Sequence, residues 1–264
     1  MRSLEAIILG LIQGLTEFLP VSSSGHLAIG KALFGIETSD LSFEVAVHAA
    51  TVLATIVVFW KDIVALLRGL FKWRRNSETR YILLILLSMI PVFIVGVFFK
   101  DSVESLFGSG LLVVGCALLV TALLLFLSET LTARRSGEGG KVNWKSALWM
   151  GLAQAIAVVP GLSRSGSTIA AGLLSGVSKQ EVTRFSFLMV LVPILGEAFL
   201  DIVGGGFAAS SVGLPQLVLG FLAAFVSGLF ACRFMIAMVR KARLKWFALY
   251  CVLVGAACIV STLV

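Results

Sequence analysis

Two short serine-rich segments carry most of the side chains in this sequence that could do chemistry. In the first segment, Gln13 and Glu17 are four residues apart and would share one face of a helix. Ser22 and Ser23 stand four and three residues before His26, so a hydroxyl and an imidazole can also share a face. The second segment follows Pro160 and supplies a guanidinium. The candidate binding residues around these groups are Gln13, Ser22, Ser24, Ser163, Ser165 and Thr168.

This set of side chains suits a phosphate group. Arg164 offers a planar fork of donors that matches phosphate oxygens two at a time. Both segments precede a predicted helix, whose free backbone N–H groups and positive dipole end favour an anion. Phosphoryl transfer needs mainly positioning and charge stabilisation. We therefore expect Glu17, Ser23, His26 and Arg164 to be catalytic.

The attacking group stays open at this level. A serine hydroxyl needs a neighbouring base, which Glu17 or His26 could be, whereas a neutral histidine nitrogen can attack directly. Water is a third candidate. We favour Ser23 as the nucleophile or a phosphate ligand, with Glu17 and His26 handling protons or a metal ion.

The elements that position these residues are predicted to lie in a membrane. The chain is 59% hydrophobic and 13% charged, whereas soluble domains have about 25% charged residues. Its net charge of +7 lies mostly in short loops between apolar runs, which is typical of membrane topology and not of a nucleic-acid-binding surface. Six runs are long enough to span a bilayer: Phe43–Trp60, Tyr81–Phe99, Leu111–Leu131, Val182–Val203, Pro215–Val239 and Trp246–Val264.

The two serine-rich segments interrupt apolar stretches whose arms are too short to span. The stretches Leu4–Gly35 and Ala147–Gly176 are broken by Pro, Gly and Ser, which predicts two re-entrant helical hairpins. They form an internal repeat with an offset of 141 residues. This offset places Gly10, Leu11, Gln13, Ser22, Ser24, Gly25, Leu33 and Gly35 on Gly151, Leu152, Gln154, Ser163, Ser165, Gly166, Leu174 and Gly176.

The distribution of Lys and Arg predicts the orientation. The loops 61–80, 132–146 and 240–245 are basic, whereas 100–110 carries one lysine and 204–214 no charge. The basic loops should be cytoplasmic, with both termini outside. We thus predict an all-α integral membrane protein with one membrane domain over 1–264. Repeat 1 (1–131) and repeat 2 (147–264) would be inverted and joined by the cytoplasmic linker 132–146, with the hairpin tips meeting near the midplane.

The strings Gly14–His26 and Pro160–Thr168 closely resemble the motifs of undecaprenyl-diphosphatase, the bacterial bacitracin-resistance family. The resemblance covers essentially the whole chain. It implies hydrolysis of undecaprenyl diphosphate to undecaprenyl phosphate and inorganic phosphate in the bacterial inner membrane, at a site open to the outer face. It also implies a divalent cation, Mg²⁺ or Ca²⁺, with Glu17 as a ligand. The residues that it implies are important are Glu17, Ser23, His26, Ser163, Arg164 and Thr168.

This sequence departs from the family pattern in one informative place. The acidic motif of the family begins with Glu or Gln, and here it begins with Gln13. A neutral amide cannot act as a base or as a strong metal ligand, so a mechanism that needs two carboxylates at this point is in doubt.

Two other function classes share some of these sequence features. Inverted repeats with re-entrant hairpins also occur in transporters and channels, although an anion pathway does not need Glu17 and His26 beside Arg164. A second class of membrane lipid phosphatases has similar Ser-Gly-His and Ser-Arg elements but needs a histidine shortly after Arg164, where none stands. We expect His48 to be a hydrogen-bonded helix residue. The small-residue series Gly220, Ala224 and Gly228 should serve close packing, within the fold or between the protomers of a homodimer.

Overall fold

A computed structural model describes residues 1–36, 41–72, 76–107, 110–133, 139–196, 211–239 and 244–263. These residues form an all-helical protein, apart from one isolated bridge between Gly140 and Val177. The helices are α1 (Ser3–Phe18), α2 (Ser23–Phe34), α3 (Ser42–Val58), α4 (Trp60–Leu70), α5 (Ser77–Phe98), α6 (Lys100–Phe107), α7 (Gly110–Ala133), α8 (Trp144–Ile156), α9 (Arg164–Leu174), α10 (Lys179–Met189), α11 (Leu214–Val239) and α12 (Lys245–Ser261).

Long apolar helices confirm that the protein is embedded in a membrane. Within the described residues, Ser77–Phe98, Gly110–Thr132 and Leu214–Ile236 are each long and apolar enough to cross a bilayer, with mean hydropathies of 2.7, 2.8 and 2.0. The bent pair α3–α4 would make a fourth crossing if it acts as one span. Helix α12 is also apolar but has only 17 residues.

Several predicted boundaries need correction. The segment 61–80, expected to be a loop, contains α4, which is bent by 75° from α3. Within its described part, the predicted span 182–203 is interrupted, because α10 ends at Met189 and helical residues resume at 191–196. Pro193 explains this break, since it has no N–H to donate to the Met189 carbonyl and its ring crowds that group. The rest of that span lies outside the described residues, as does the loop 204–214 up to residue 210. The same holds for seven of the basic loop residues: Arg74, Arg75, Arg134, Arg135, Arg240, Lys241 and Arg243.

The hairpins are held by close helix packing. Helix α1 packs along α11 and α3, while α8 packs along α5. Gly10 and Gly14 of α1 lie directly against the backbone of α11, so no side chain could fit at either position. Gly220 and Gly228 of α11 pack against Phe43 and Phe18 respectively. The small-residue face of α11 therefore serves packing within the fold.

Candidate active site

The first hairpin turns at residues 19–22. Leu19, which precedes Pro20, adopts an extended conformation and ends α1. Ser22 begins α2 as its N-cap, and its Oγ accepts a hydrogen bond of 3.2 Å from the backbone N–H of Gly25. The φ angle of Ser22 is 68°, a conformation that a residue other than glycine adopts at a cost of about 1–3 kcal/mol. Such strain is typical of functional turns.

The second hairpin turns in a similar way. Ser163 is the N-cap of α9, and its Oγ accepts a hydrogen bond of 3.1 Å from the N–H of Gly166. Gly161 has a φ of 91°, and a Cβ at this position would lie 2.6 Å from the Val114 carbonyl oxygen of α7. The Thr121 hydroxyl of α7 accepts a bond of 3.0 Å from the Ser163 N–H. The second turn is thus fixed against α7.

The two turns are in contact with each other. Ser165 Oγ donates to the carbonyl oxygen of Leu19 at 3.1 Å, which joins the start of α9 to the end of α1. Gly25 at the start of α2 lies against Gly161, where an added Cβ would be 3.1 Å from the Gly161 Cα. The N-termini of α2 and α9 therefore lie at one junction, as the sequence predicts.

Glu17 is the centre of this junction. Its side chain is only 5% exposed, and its Oε1 forms an ion pair with Nη2 of Arg164, which lies 147 residues away in sequence. Its Oε2 accepts hydrogen bonds from Ser23 Oγ at 2.5 Å and from Gln13 Nε2 at 2.8 Å. Four predicted site residues are thus brought together. The Ser23 proton points at the carboxylate that would have to remove it.

His48 also reaches this carboxylate and was absent from the predicted site. Its Nε2 lies 3.7 Å from Glu17 Oε2. Its Nδ1 donates to the Glu44 carbonyl at 2.8 Å, which confirms the expected hydrogen bond within the helix and fixes the ring. A polar stripe could have revealed this role, because Glu44, His48, Thr51 and Thr55 recur at helical spacing along a predicted span.

His26 lies apart from this carboxylate group. Its Nδ1 donates to the Ser22 carbonyl at 2.7 Å, which leaves Nε2 as the acceptor of a 2.7 Å bond from the Tyr250 hydroxyl. The two rings are stacked, with centroids 5.6 Å apart and an interplanar angle of 8°. Among the described contacts of His26, none is with Glu17. Tyr250 of α12 gave no sequence signal, since it stands alone in an apolar run.

The remaining predicted residues support the backbone of the two turns. The hydroxyls of Ser22 and Ser24 are 3.3 Å apart, and those of Ser163 and Ser165 are also 3.3 Å apart. Thr168 Oγ1 donates to the Arg164 carbonyl at 2.9 Å and lies 2.6 Å from the Ser186 hydroxyl of α10. These contacts hold Arg164 at the start of α9.

A small chamber with an enclosed volume of about 10 Å³ adjoins the Glu17–Arg164 pair. Its walls come from α1, α3, α9, α10 and the residues that follow α10. One part of the lining is polar and the other is apolar. The lining residues are Glu17, Phe18, Thr51, Val52, Thr55, Arg164, Ser165, Ser186, Phe187, Val190 and Ile194.

The donors present suit a divalent cation only if the substrate supplies ligands as well. Within the described residues, no group of three or more His, Cys, Asp or Glu side chains could hold a metal ion. However, Gln13 Oε1 is buried without a hydrogen-bond partner, beside the Glu17 carboxylate. Mg²⁺ is commonly held by one or two protein oxygens together with phosphate oxygens and water. Gln13 and Glu17 fit that limited role.

Comparison with known proteins identifies the family. The sequence profile described as "Bacitracin resistance protein BacA" matches residues 6–257. The chain belongs to this family. It is 58% identical over 264 residues to the undecaprenyl-diphosphatase of Bacteroides fragilis, with 98% of each chain covered. It is 56% identical over 267 residues to the undecaprenyl-diphosphatase of Bacteroides thetaiotaomicron, with both chains fully covered.

Membership of the BacA family confirms the resemblance carried by the two serine-rich motifs. It also places both hairpin turns and the Glu17 junction inside the matched range. A relative from Parabacteroides distasonis is 57% identical over 263 residues and carries the same undecaprenyl-diphosphatase name. These matches favour the phosphatase interpretation over the transporter or channel.

Proposed function

We propose that this protein hydrolyses undecaprenyl diphosphate to undecaprenyl phosphate and inorganic phosphate, which recycles the lipid carrier of cell-wall synthesis. The observation that carries the proposal is the arrangement of Ser23, Glu17 and Arg164 at one junction in a BacA-family chain. A hydroxyl, a base and a phosphate-binding cation are the minimum needed for phosphoryl transfer through a covalent intermediate.

Ser23 is the proposed nucleophile. As its oxygen bonds to the terminal phosphorus, its proton moves to Glu17 and the bond from that phosphorus to the bridging oxygen breaks. Undecaprenyl phosphate leaves, and water then cleaves the phosphoserine to release inorganic phosphate. The 2.5 Å hydrogen bond from Ser23 to Glu17 supports this assignment.

Arg164 and the two helix N-termini bind the diphosphate in this proposal. The guanidinium would exchange its Glu17 contact for phosphate oxygens as the carboxylate takes up the Ser23 proton. The N-termini of α2 and α9 add backbone donors at the same junction. Charge on the leaving and attacking oxygens is thereby stabilised where it develops.

His26 is assigned a supporting role in proton transfer. Its Nε2 lone pair is occupied by the Tyr250 hydroxyl, so direct attack by this nitrogen would first require that bond to break. A Ser23 route predicts an acid-stable phosphoserine on rapid quenching, whereas a His26 route gives an acid-labile phosphohistidine. Direct attack by water gives neither phosphoenzyme. All three routes place one solvent oxygen in the released phosphate, so the trapped intermediate is what distinguishes them.

A divalent cation, Mg²⁺ or Ca²⁺, is proposed to accompany the diphosphate, with Gln13 Oε1 and a Glu17 oxygen as its protein ligands. When bound, it would neutralise charge on the diphosphate. Phosphate release by purified protein should fall on addition of a chelator and recover when the cation is restored. Unchanged turnover in excess chelator would remove the cation from the proposal.

The proposed topology has six spans, two re-entrant hairpins and inverted halves in the bacterial inner membrane, with both termini and the site facing outward. The matching N-caps at Ser22 and Ser163 support it, as do the positive φ angles of Gly35 and Gly176. Cysteines introduced at positions 70 and 208, after replacement of the native cysteines, should label from the cytoplasm and from outside respectively. Labelling of position 208 only from the cytoplasm contradicts this topology.

We also propose that the protein forms a homodimer. Because the small-residue face of α11 is used against α1 and α3, the protomers would have to meet through another surface. Light scattering of the detergent-solubilised protein distinguishes a monomer from a dimer.

A further inference from the structure

The chamber beside Glu17 has a polar and an apolar set of lining residues, which we call its polar end and its apolar end. Its polar end contains Glu17, Arg164 and hydroxyl groups, including Thr51 of α3 and Ser186 of α10. Its apolar end contains Phe18 and Phe187, whose rings meet edge to face with centroids 5.7 Å apart. The chamber therefore suits a ligand whose charged group is bonded directly to a hydrocarbon.

The outer wall of the apolar end is a narrow contact between α3 and the residues after α10, which we call the α3–α10 seam. Val52, Val190 and Ile194 are buried there in a cluster separate from the main core. Ile56 and Leu191 are partly buried against it. The seam is thus built from aliphatic side chains, and three of them also line the chamber.

The backbone is interrupted at the seam. Helix α10 stops at Met189, and the N–H of Val190 bonds to the Leu188 carbonyl instead of continuing the helical ladder. Pro193 causes the interruption, as described above. The wall of the chamber at this point is consequently a short separate segment and not the side of a continuous helix.

The other side of the seam faces the acyl chains of the bilayer. Leu53 and Val57 of α3 are 41% and 44% exposed, and Val192 and Leu195 are 46% and 47% exposed. All four are apolar, so hydrocarbon covers them in a membrane. Residues that line the chamber and residues exposed on the apolar surface therefore alternate along the same two segments.

The size of the chamber decides where a long ligand must go. The enclosed space of the chamber is about 10 Å³, which is room for about one water molecule, so the chamber must widen to admit a diphosphate and the beginning of its hydrocarbon chain. The rest of a polyprenyl chain has to leave the chamber. Lipid chains are about as apolar as leucine side chains, so a prenyl chain can replace seam contacts at little cost.

We propose that the polyprenyl chain of the substrate passes through the α3–α10 seam, with Val52, Val190 and Ile194 as the gate between the chamber and the bilayer. This inference rests on the proposed function. It assigns the diphosphate to the polar end and the first isoprene units to the apolar end beside Phe18 and Phe187.

Substitutions that block the seam test the gate. Val52→Trp and Ile194→Trp should each lower kcat/KM for undecaprenyl diphosphate by about tenfold or more. The same variants should lower turnover of geranyl diphosphate much less than turnover of undecaprenyl diphosphate, since a short chain makes few contacts across the seam. Leu53→Trp and Val192→Trp are the matched controls, because they add the same ring on the lipid-facing side of the same segments and should leave both substrates unaffected.

The possible results of these assays distinguish failure of the proposed gate from failure of the proposed phosphatase activity. If the unmodified protein hydrolyses neither diphosphate, the proposed function fails. If it hydrolyses both, and the seam variants reduce both substrates equally or neither of them, the gate is wrong. Thermal unfolding in detergent shows whether each variant is folded.

A second measurement needs no variant. A polyprenyl diphosphate with a photoreactive group on its first isoprene units should crosslink to residues 187–194 or 52–56 of the unmodified protein. The sample must also hydrolyse the parent lipid. If the label is then found only on other helices, or on none, the proposed gate is wrong.

Discussion

Gly115 of α7 and Gly255 of α12 face each other, and each lies against the backbone carbonyl oxygen of the other. A Cβ added to Gly115 would be 2.8 Å from the Gly255 oxygen, and one added to Gly255 would be 2.9 Å from the Gly115 oxygen. Their separation in sequence is one residue less than the 141-residue offset of the two hairpins. Under that offset the residue equivalent to Gly115 is Ala256, the neighbour of Gly255, so the contact does not join equivalent positions, but it fixes how closely α7 and α12 approach.

Substitution of either glycine should destabilise the protein. Gly115→Val and Gly255→Val would each force α7 and α12 apart, at a cost of about 1–3 kcal/mol. Gly96→Val is the control, since a Cβ at that helical glycine would meet nothing within 4 Å. Thermal unfolding in detergent measures the difference. Equal unfolding temperatures for Gly115→Val and Gly96→Val would contradict the tight contact.

The Glu17–Arg164 pair should show strong coupling between its members. Arg164→Lys keeps the charge but loses the fork, so activity should fall by about tenfold or more. Arg164→Gln should also destabilise the protein by about 3 kcal/mol, the low end for breaking a buried pair, because the arginine side chain is 24% exposed.

The double variant Glu17→Gln/Arg164→Gln provides the check on that coupling. It removes both charges, so it should be inactive and yet more stable than Arg164→Gln alone. Strictly additive losses in unfolding free energy would show that the two groups do not interact.

His48 should contribute to activity through its position beside Glu17. His48→Leu places an apolar side chain against a carboxylate oxygen, and we expect phosphate release to slow by about tenfold. His48→Gln can present an amide N–H to the same oxygen and should retain more activity than the leucine variant. If the leucine variant works at the normal rate, the 3.7 Å approach of His48 to Glu17 has no catalytic importance.

The hydroxyl of Tyr250 should matter more for activity than for stability. Tyr250→Phe removes the donor to His26 Nε2 but keeps the stacked ring, so the loss of unfolding free energy should be about 1 kcal/mol. Turnover should fall several-fold if a fixed His26 ring assists proton transfer. Tyr250→Leu, which removes the stacking as well, should be impaired in both properties. Normal turnover of the phenylalanine variant would show that the Tyr250 hydroxyl has no role in the reaction.

The sequence predicted the parts of the molecule that depend on local chemistry. Both hairpin turns begin where Pro20 and Pro160 make helix unfavourable and end where Ser22 and Ser163 can cap a new one, so their positions follow from neighbouring residues. The meeting of Glu17 with Arg164 followed from the repeat, which relates two distant segments.

The features that the sequence did not predict depend on how helices pack. His48 reaches Glu17 because α1 and α3 lie side by side, and Tyr250 reaches His26 across 224 residues of sequence. The bend between α3 and α4 contains no proline or glycine from which it could have been predicted. Pro193 was a sequence signal for the end of α10. It was missed because hydropathy alone treats an apolar run with one proline as continuous.

The pairing of Glu17 with Arg164 also has a consequence for synthesis of the chain. A ribosome delivers Glu17 147 residues before its partner, which at about 5–20 residues per second is a delay of roughly 7–30 seconds. A lone charge is costly inside lipid, so the first hairpin can reach its final depth only after the second has been inserted. Completion of the N-terminal half therefore waits for the second hairpin while translation continues, and a nascent chain stalled before residue 164 would keep the Glu17 charge in the membrane without its arginine partner.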